Sequence, residues 1–300
     1  MEIQNVIIYG LGAIGLTYAA KLNNACNLFI LADENRINKY KENPPQLNGN
    51  IINLNYITPE DNKNIDLIII STKYNGLNSA INDIKKFVNK DTVIISLING
   101  INSENEISAI YGEEKVLHSY FVGHSAMRDK NRVIQDGVGK IYFGSPNSKN
   151  KDKVKLLKNF FDKCNIDYEI PNDIIYSMWV KFTLNVFANQ ISAIFNMNFG
   201  EMKKNLFIKF LSQLVINETV LIAKKENLTD WHNLKNDTLA FFDIMSNDGI
   251  SSTLQDLRAK RKTEAEIFSG QIIKLAKKHG VSTPFNVVLY KILKFLEKKY

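Results

Sequence analysis

Val6-Ile7-Ile8-Tyr9-Gly10-Leu11-Gly12-Ala13-Ile14-Gly15-Leu16-Thr17-Tyr18-Ala19-Ala20-Lys21-Leu22 is the stretch that decides the fold. It begins as a short apolar run, turns through three glycines in the order G-x-G-x-x-G, and continues as a helical pattern. In that order each glycine has a task. Gly10 permits a tight turn, Gly12 lets the backbone approach a pyrophosphate, and Gly15 lets the helix pack closely on the strand. The first turn of the helix then offers N–H groups and a positive dipole end to phosphate oxygens. The stretch predicts a dinucleotide site whose contacts are Gly10, Leu11, Gly12, Ala13, Ile14 and Gly15.

Outward from the turn, the first half alternates strand and helix. Leu28–Leu31, Asp66–Thr72 and Thr92–Leu97 are short, β-branched-rich runs of the kind found in strands covered on both faces, and Leu77–Val88 reads as an intervening helix. Val116–Phe121 and Lys140–Phe143 read as further strands, forming a local antiparallel addition. Ligands of such a parallel sheet sit at the carboxyl ends of its strands. The character changes near Pro171. Asp173–Phe195, Lys203–Glu226, Thr253–Lys278 and Pro284–Lys298 carry apolar residues three and four apart, and Pro284 suits a helix start. The predicted class is α/β: an N-terminal Rossmann dinucleotide-binding domain, 1–168, followed by an all-helical C-terminal domain, 169–300.

Three hundred residues suit two domains, and 45% hydrophobic residues support a core. The net charge of +7 is spread over helices that also carry acids, with no aromatic-interleaved basic patch. Nucleic acid is therefore not an expected partner, whereas a positive field suits anionic small molecules. Cys26 and Cys164 belong to no CxxC or zinc spacing, so neither a metal nor a disulfide is expected. The N-terminus lacks the basic start of a signal peptide, and no uninterrupted apolar run reaches the ~18 residues of a membrane span. These readings predict a cytoplasmic protein without a membrane partner; a monomer and a homodimer are both compatible with them.

In the second half, Trp179-Val180-Lys181-Phe182-Thr183-Leu184-Asn185-Val186-Phe187-Ala188-Asn189 carries the chemistry. Lys181, Asn185 and Asn189 are four apart and share one helix face, among apolar neighbours. Polar groups in such a setting are costly unless something pairs with them. An exposed stripe on an amphipathic helix is the alternative.

Together with Gly10–Gly15, Thr72-Lys73, Asn99-Gly100, Ser251–Ala259 and Thr263-Glu264, this motif makes the chain resemble the ketopantoate reductase (2-dehydropantoate 2-reductase) family over nearly its whole length. The resemblance implies reduction of a 2-keto acid by a nicotinamide cofactor, NADPH or NADH, in a cleft between the two domains. It makes Lys181 the general acid. It places Asn185, Asn189, Ser252 and Asn99 on the substrate, Glu264 near the cofactor ribose and the catalytic lysine, and Lys73, Asn99 and Ala126 on the cofactor. Each residue also has a plainer reading. Ser252 and Gln255 fit a capping box, Glu264 a solvated face, Lys73 a surface lysine and Asn99-Gly100 a turn; Asp256 and Arg258 read as a structural pair. His124 is a loop histidine for which the resemblance supplies no catalytic role.

The chain leaves the family pattern twice. The family usually has an arginine after the second strand, suited to a 2′-phosphate; here the sequence is Leu31-Ala32-Asp33-Glu34-Asn35-Arg36. An acid there accepts from the ribose 2′-hydroxyl of NAD, while Arg36 remains within reach of a phosphate. A further substrate asparagine of the family aligns with Phe199, one residue beyond Asn198. The alternatives are thus an NADH-preferring D-2-hydroxyacid dehydrogenase acting on another branched or aromatic 2-keto acid and, more remotely, a nucleotide-binding sensor without turnover.

Overall fold

The apolar runs of the first half form strands because β-branched side chains pack well on a pleated surface covered from both sides. The computed structural model describes residues 2–299 apart from 124, 125, 136, 138 and 147. In chain order the strands are β1 (Asn5–Tyr9), β2 (Asn27–Leu31), β3 (Gln46–Leu47), β4 (Asn50–Ile51), β5 (Tyr56–Ile57), β6 (Leu67–Ile70), β7 (Val93–Ser96), β8 (Val116–Val122), β9 (Ala126–Asp129), β10 (Arg132–Gln135), β11 (Lys140–Gly144) and β12 (Tyr168–Glu169). The helices among them are α1 (Ala13–Leu22), α2 (Glu34–Glu42), α3 (Leu77–Asp83), α4 (Ser103–Tyr111) and α5 (Lys151–Lys163).

Eight strands form one sheet in the order β12-β11-β8-β7-β6-β1-β2-β5. Every neighbouring pair is parallel except β8 and β11, which run antiparallel as the sequence predicts. Strand β1 lies between β2 and β6, and Tyr9 is level with both Leu31 and Ile70. The chain therefore leaves these strands at one common edge, where the strand order reverses direction, which is where open α/β sheets bind ligands. Successive residues of β1 serve opposite cores. Val6 and Ile8 pack with Tyr18, Leu22, Phe160 and Phe161, whereas Ile7 packs with Leu77, Ile81 and Ile107.

A second sheet, β4-β3-β10-β9, is absent from the sequence reading. Its first hairpin turns at Asn48-Gly49, with φ of 50° and 84°. Asn-Gly between strands is the signature of such a two-residue turn, so the local signal was present. The sheet docks on α1 through a hydrogen bond from Thr17 Oγ1 to the Gln135 side chain.

The chain divides into two compact units, Met1–Ile174 and Ile175–Tyr300. The second is built of helices. A continuous helical segment comprises α6 (Ile174–Leu184), a π turn (Asn185–Asn189) and α7 (Gln190–Phe195), followed by α8 (Phe199–Lys204), α9 (Leu206–Lys225), α10 (Leu234–Asp243), α11 (Ser252–Arg258), α12 (Ser269–His279) and α13 (Pro284–Leu296). Two expected long helices are each broken. Asn205 separates α8 from α9, its side chain accepting from the Ile208 N–H at 3.1 Å. Lys260 adopts a left-handed φ of 54° after α11, and the chain is not helical again until Ser269. Both breaks preserve apolar spacing well enough to be invisible to periodicity. Helix α10 was not anticipated.

Among the described residues one helix, α9, is long and apolar enough to cross a membrane by length and composition. Its packing is consistent with a core helix. Its Glu218 is buried and accepts from the Phe285 and Asn286 N–H groups at 2.9 Å, tying α9 to the N-terminus of α13.

Candidate active site

In the first unit the glycine turn has the shape its sequence implies. Gly10 has φ +100°, a region L side chains rarely adopt, and a Cβ there would lie 2.9 Å from the Thr72 nitrogen. A Cβ on Gly15 would lie 1.9 Å from the Gly10 carbonyl oxygen and 2.5 Å from Ser71 Oγ. Only glycine fits at Gly15, because the obstacle is backbone. Ser71 Oγ donates to the Gly10 carbonyl at 2.7 Å and fixes the turn from the neighbouring strand. No side chain caps α1, so the N–H groups of its first turn keep their capacity for a phosphate.

Asp33, Lys73 and Asn99 each follow the carboxyl end of a parallel strand, on the same sheet edge as Gly10. Asp33 is the N-cap of α2: Oδ1 accepts from the Arg36 N–H at 2.8 Å. Its second oxygen stands 3.9 Å from Arg36 Nε, and both side chains are exposed. The acid is thus oriented by the helix it caps, and the nearest arginine is turned towards it. Lys73 is exposed and Asn99 half-buried.

Three residues before Asn99, Ser96 joins a buried polar ring that sequence reasoning missed. Ser96 Oγ donates to Ser103 Oγ at 2.8 Å, and Ser103 Oγ donates to Glu104 Oε2 at 2.9 Å. The Ser119 N–H donates to Glu104 Oε1 at 3.3 Å, and Ser119 Oγ donates to the Ser96 carbonyl at 2.8 Å. The ladder between β7 and β8 ends at Ile95 and Leu117, so the ring closes the gap where these strands part. Nothing in the pattern of isolated serines announces it. Ala126 begins β9 opposite Gln135. His124 lies outside the described residues.

In the second unit the Lys181 stripe falls on the continuous α6–π–α7 segment. Lys181 is half-buried on α6, while Asn185 and Asn189, 6% and 8% exposed, open and close the π turn. The wider turn stacks residues four apart, and Asn189 Nδ2 donates to Asn185 Oδ1 at 3.2 Å. The same amide lies 3.4 Å from Ser252 Oγ, bringing together residues 63 apart in sequence. The structure corrects the capping reading of Ser252. The N-cap of α11 is Ser251, whose hydroxyl accepts from the Leu254 N–H at 3.0 Å and donates to the Asn189 carbonyl at 3.0 Å. Ser252 is the first residue of the helix, exposed, with its hydroxyl beside the asparagines.

Glu264 is half-buried in the turn before α12 rather than on the solvated face of a helix. Thr263 anchors that turn, its N–H donating to Glu297 Oε1 at 2.8 Å. Asp256 accepts from Arg261 at 2.9 Å and Arg258 donates to Asn196, so the expected Asp256–Arg258 pair is not formed. Asn198 is a structural cap, in a reciprocal capping box with Glu201 at 2.8 Å. Phe199 is buried edge-to-face against Phe242. Among the described residues no group of three or more His, Cys, Asp or Glu side chains is arranged to hold a metal ion.

A parallel sheet with this glycine turn, and a helical unit carrying a lysine in line with convergent amides, define the class of nicotinamide-dependent oxidoreductases. Comparison with known proteins narrows it. Residues 6–148 match the family model described as ketopantoate reductase PanE/ApbA, and residues 173–297 match that of its C-terminal part. The chain belongs to the ketopantoate reductase family and is an NAD(P)-dependent 2-keto acid reductase of it. It is 28% identical to the 2-dehydropantoate 2-reductase of Aquifex aeolicus, covering 98% of this chain and 97% of that one. Among solved structures it resembles a ternary structure of D-mandelate dehydrogenase with NADH and anilino(oxo)acetate, with TM-score 0.87 and 23% identity over 99% of both chains. It also resembles a dimeric ketopantoate reductase from Staphylococcus aureus, with TM-score 0.75 and 20% identity over 98% of this chain and 99% of that one.

Proposed function

We propose that the protein reduces 2-dehydropantoate to D-pantoate in the cytoplasm, as a step of pantothenate synthesis, with Lys181 as the general acid. The observation that carries this reading is the meeting of Asn185, Asn189 and Ser252, with Lys181 one turn away along the same helical segment. A 2-keto acid presents a carboxylate, a keto oxygen and, in dehydropantoate, a hydroxyl. Amides and a serine hydroxyl bind such a set by donating to oxygens and accepting from the hydroxyl. Bound nicotinamide supplies the hydride. As the keto oxygen gains alkoxide character, the Lys181 ammonium stabilises that charge and delivers the proton.

The groups to hold the cofactor are the Gly10–Gly15 turn with the uncapped start of α1, then Asp33 and Arg36, Lys73, Asn99, Ala126 and Glu264. The close approach of Gly15 to Gly10 and Ser71, which leaves no room for a Cβ, fits the tight glycine turn that brings backbone close to a pyrophosphate. Asp33 favours NADH over NADPH, because its second carboxylate oxygen, exposed beside Arg36, accepts from a ribose hydroxyl and repels a phosphate. With Phe199 packed into the core, Asp33 also supports a second reading: an NADH-preferring D-2-hydroxyacid dehydrogenase for another branched or aromatic 2-keto acid. Exposed Leu206, Phe207 and Phe210 at the start of α9 support a homodimer, which sedimentation equilibrium would read.

The deciding experiment follows nicotinamide oxidation with NADH or NADPH against dehydropantoate, 2-oxoisovalerate and benzoylformate. Highest kcat/KM on dehydropantoate upholds the first reading. Preference for benzoylformate or oxoisovalerate with NADH establishes the second, and binding without turnover on any acid would sink both.

A further inference from the structure

We propose that Gln190 is a positioning residue for the substrate groups, holding the π turn from behind. The inference rests on the reading of Asn185, Asn189 and Ser252 as substrate ligands.

Gln190 follows the π turn and is fully buried. Its backbone N–H donates to the Phe187 carbonyl, whereas an α-helix would direct it to Val186. The side chain takes that place: Nε2 donates to the Val186 carbonyl at 2.5 Å and to Ser269 Oγ at 2.7 Å. Ser269 Oγ donates to Asn286 Oδ1 at 2.9 Å, and Asn286 Nδ2 donates to Glu218 Oε2 at 2.8 Å.

The direction of this chain is set at its far end. Both Glu218 oxygens accept from backbone N–H groups, and Asn286 presents its NH₂ to Glu218 and its oxygen to Ser269. Ser269 then spends its proton on Asn286 and accepts from Gln190, which forces the glutamine to present its NH₂, not its oxygen, to the π turn. The cost is visible: Gln190 Oε1 is buried with no hydrogen-bond partner among the described residues. The bonds that Gln190 does make, to Val186 and Ser269, fix one geometry. That geometry is the π turn, with Asn185 and Asn189 at its two ends.

Three variants and a cycle test the inference, all read by steady-state kinetics on the 2-keto acid preferred by the wild type. Gln190→Leu, which keeps volume and removes both donors, raises substrate KM by about tenfold, the scale of one lost buried hydrogen bond. The KM for the nicotinamide cofactor stays within about twofold, because those ligands stand mainly on the other unit. Gln190→Glu regains function only when its carboxyl is protonated and can donate to Val186. Its substrate KM relative to wild type therefore falls as pH is lowered, which a merely space-filling role would not produce. Gln190→Leu combined with Asn189→Ala costs less than the sum of the single changes. If Gln190→Leu does not fold, Ser269→Ala, one bond further back, carries the same comparison. An unchanged substrate KM in folded Gln190→Leu, or full additivity with Asn189→Ala, overturns the inference while leaving the substrate reading intact. Asn189→Ala with wild-type KM overturns that reading and the inference with it.

Discussion

Ser251 and Ser252 share a chemistry and differ in what surrounds them. Ser251 is buried, accepts from the Leu254 N–H and donates to the Asn189 carbonyl, so its hydroxyl is consumed by structure. Ser252, one residue on, is exposed beside Asn189 Nδ2. Ser251→Ala is expected to cost about 1 kcal/mol of stability, the usual scale of a lost cap. Ser252→Ala leaves the melting temperature nearly unchanged and raises substrate KM. A melting temperature lowered as far by Ser252→Ala, with KM unaltered, would show that both serines are structural. Lys181→Ala lowers kcat by about 10²–10⁴, the scale of positioned proton transfer. Wild-type turnover in that variant removes the lysine from the chemistry. Which serine caps could not be read in advance, because Ser251-Ser252-Thr253-Leu254-Gln255 supports a cap at either serine and only backbone angles choose.

At the scale of elements, the glycine turn was legible because each glycine answers a steric demand made within one strand and helix. Gly15→Ala drives a methyl into the Gly10 carbonyl, and overpacking of this kind costs ~1–3 kcal/mol. Thermal unfolding of that variant should shift down with a matching loss of cofactor affinity. Wild-type values for both would mean the turn has room the backbone does not reveal. The π turn was not legible. Four-residue spacing of Lys181, Asn185 and Asn189 satisfies an α-helix and a π turn alike, and the feature that separates them, a glutamine hydrogen-bonded to helix α12 and through it to α13, is a long-range one. The same holds for the Ser96–Ser103–Glu104–Ser119 ring, whose members come from two strands and a helix. Local signals marked the ends of elements that carry the candidate site; the polar groups that hold those ends were set by tertiary pairing.

At the scale of the whole molecule, the first loss of stability on acidification, below pH 6.5, is expected from His118 of β8. Burial pushes the His118 imidazole down to about 4 from 6.5, and the charge of Glu113 opposes the shift only in part. Its Nδ1 is buried and makes no hydrogen bond among the described residues, so none of them compensates a proton placed there. The unfolded chain therefore binds a proton at His118 more readily than the folded one. Stability is fully present above pH 6.5 and is lost progressively as pH falls through 6.5 towards 4. Glu226 and Glu297 have carboxyl groups held below 4.5 by hydrogen bonds, chiefly from Lys278 and Lys294, against the opposing effect of burial, so their losses begin at lower pH. Urea unfolding at several pH values between 7 and 4.5 should show a decline that His118→Leu flattens. The same decline in the variant would assign this acid sensitivity to other groups and make the buried imidazole a spectator.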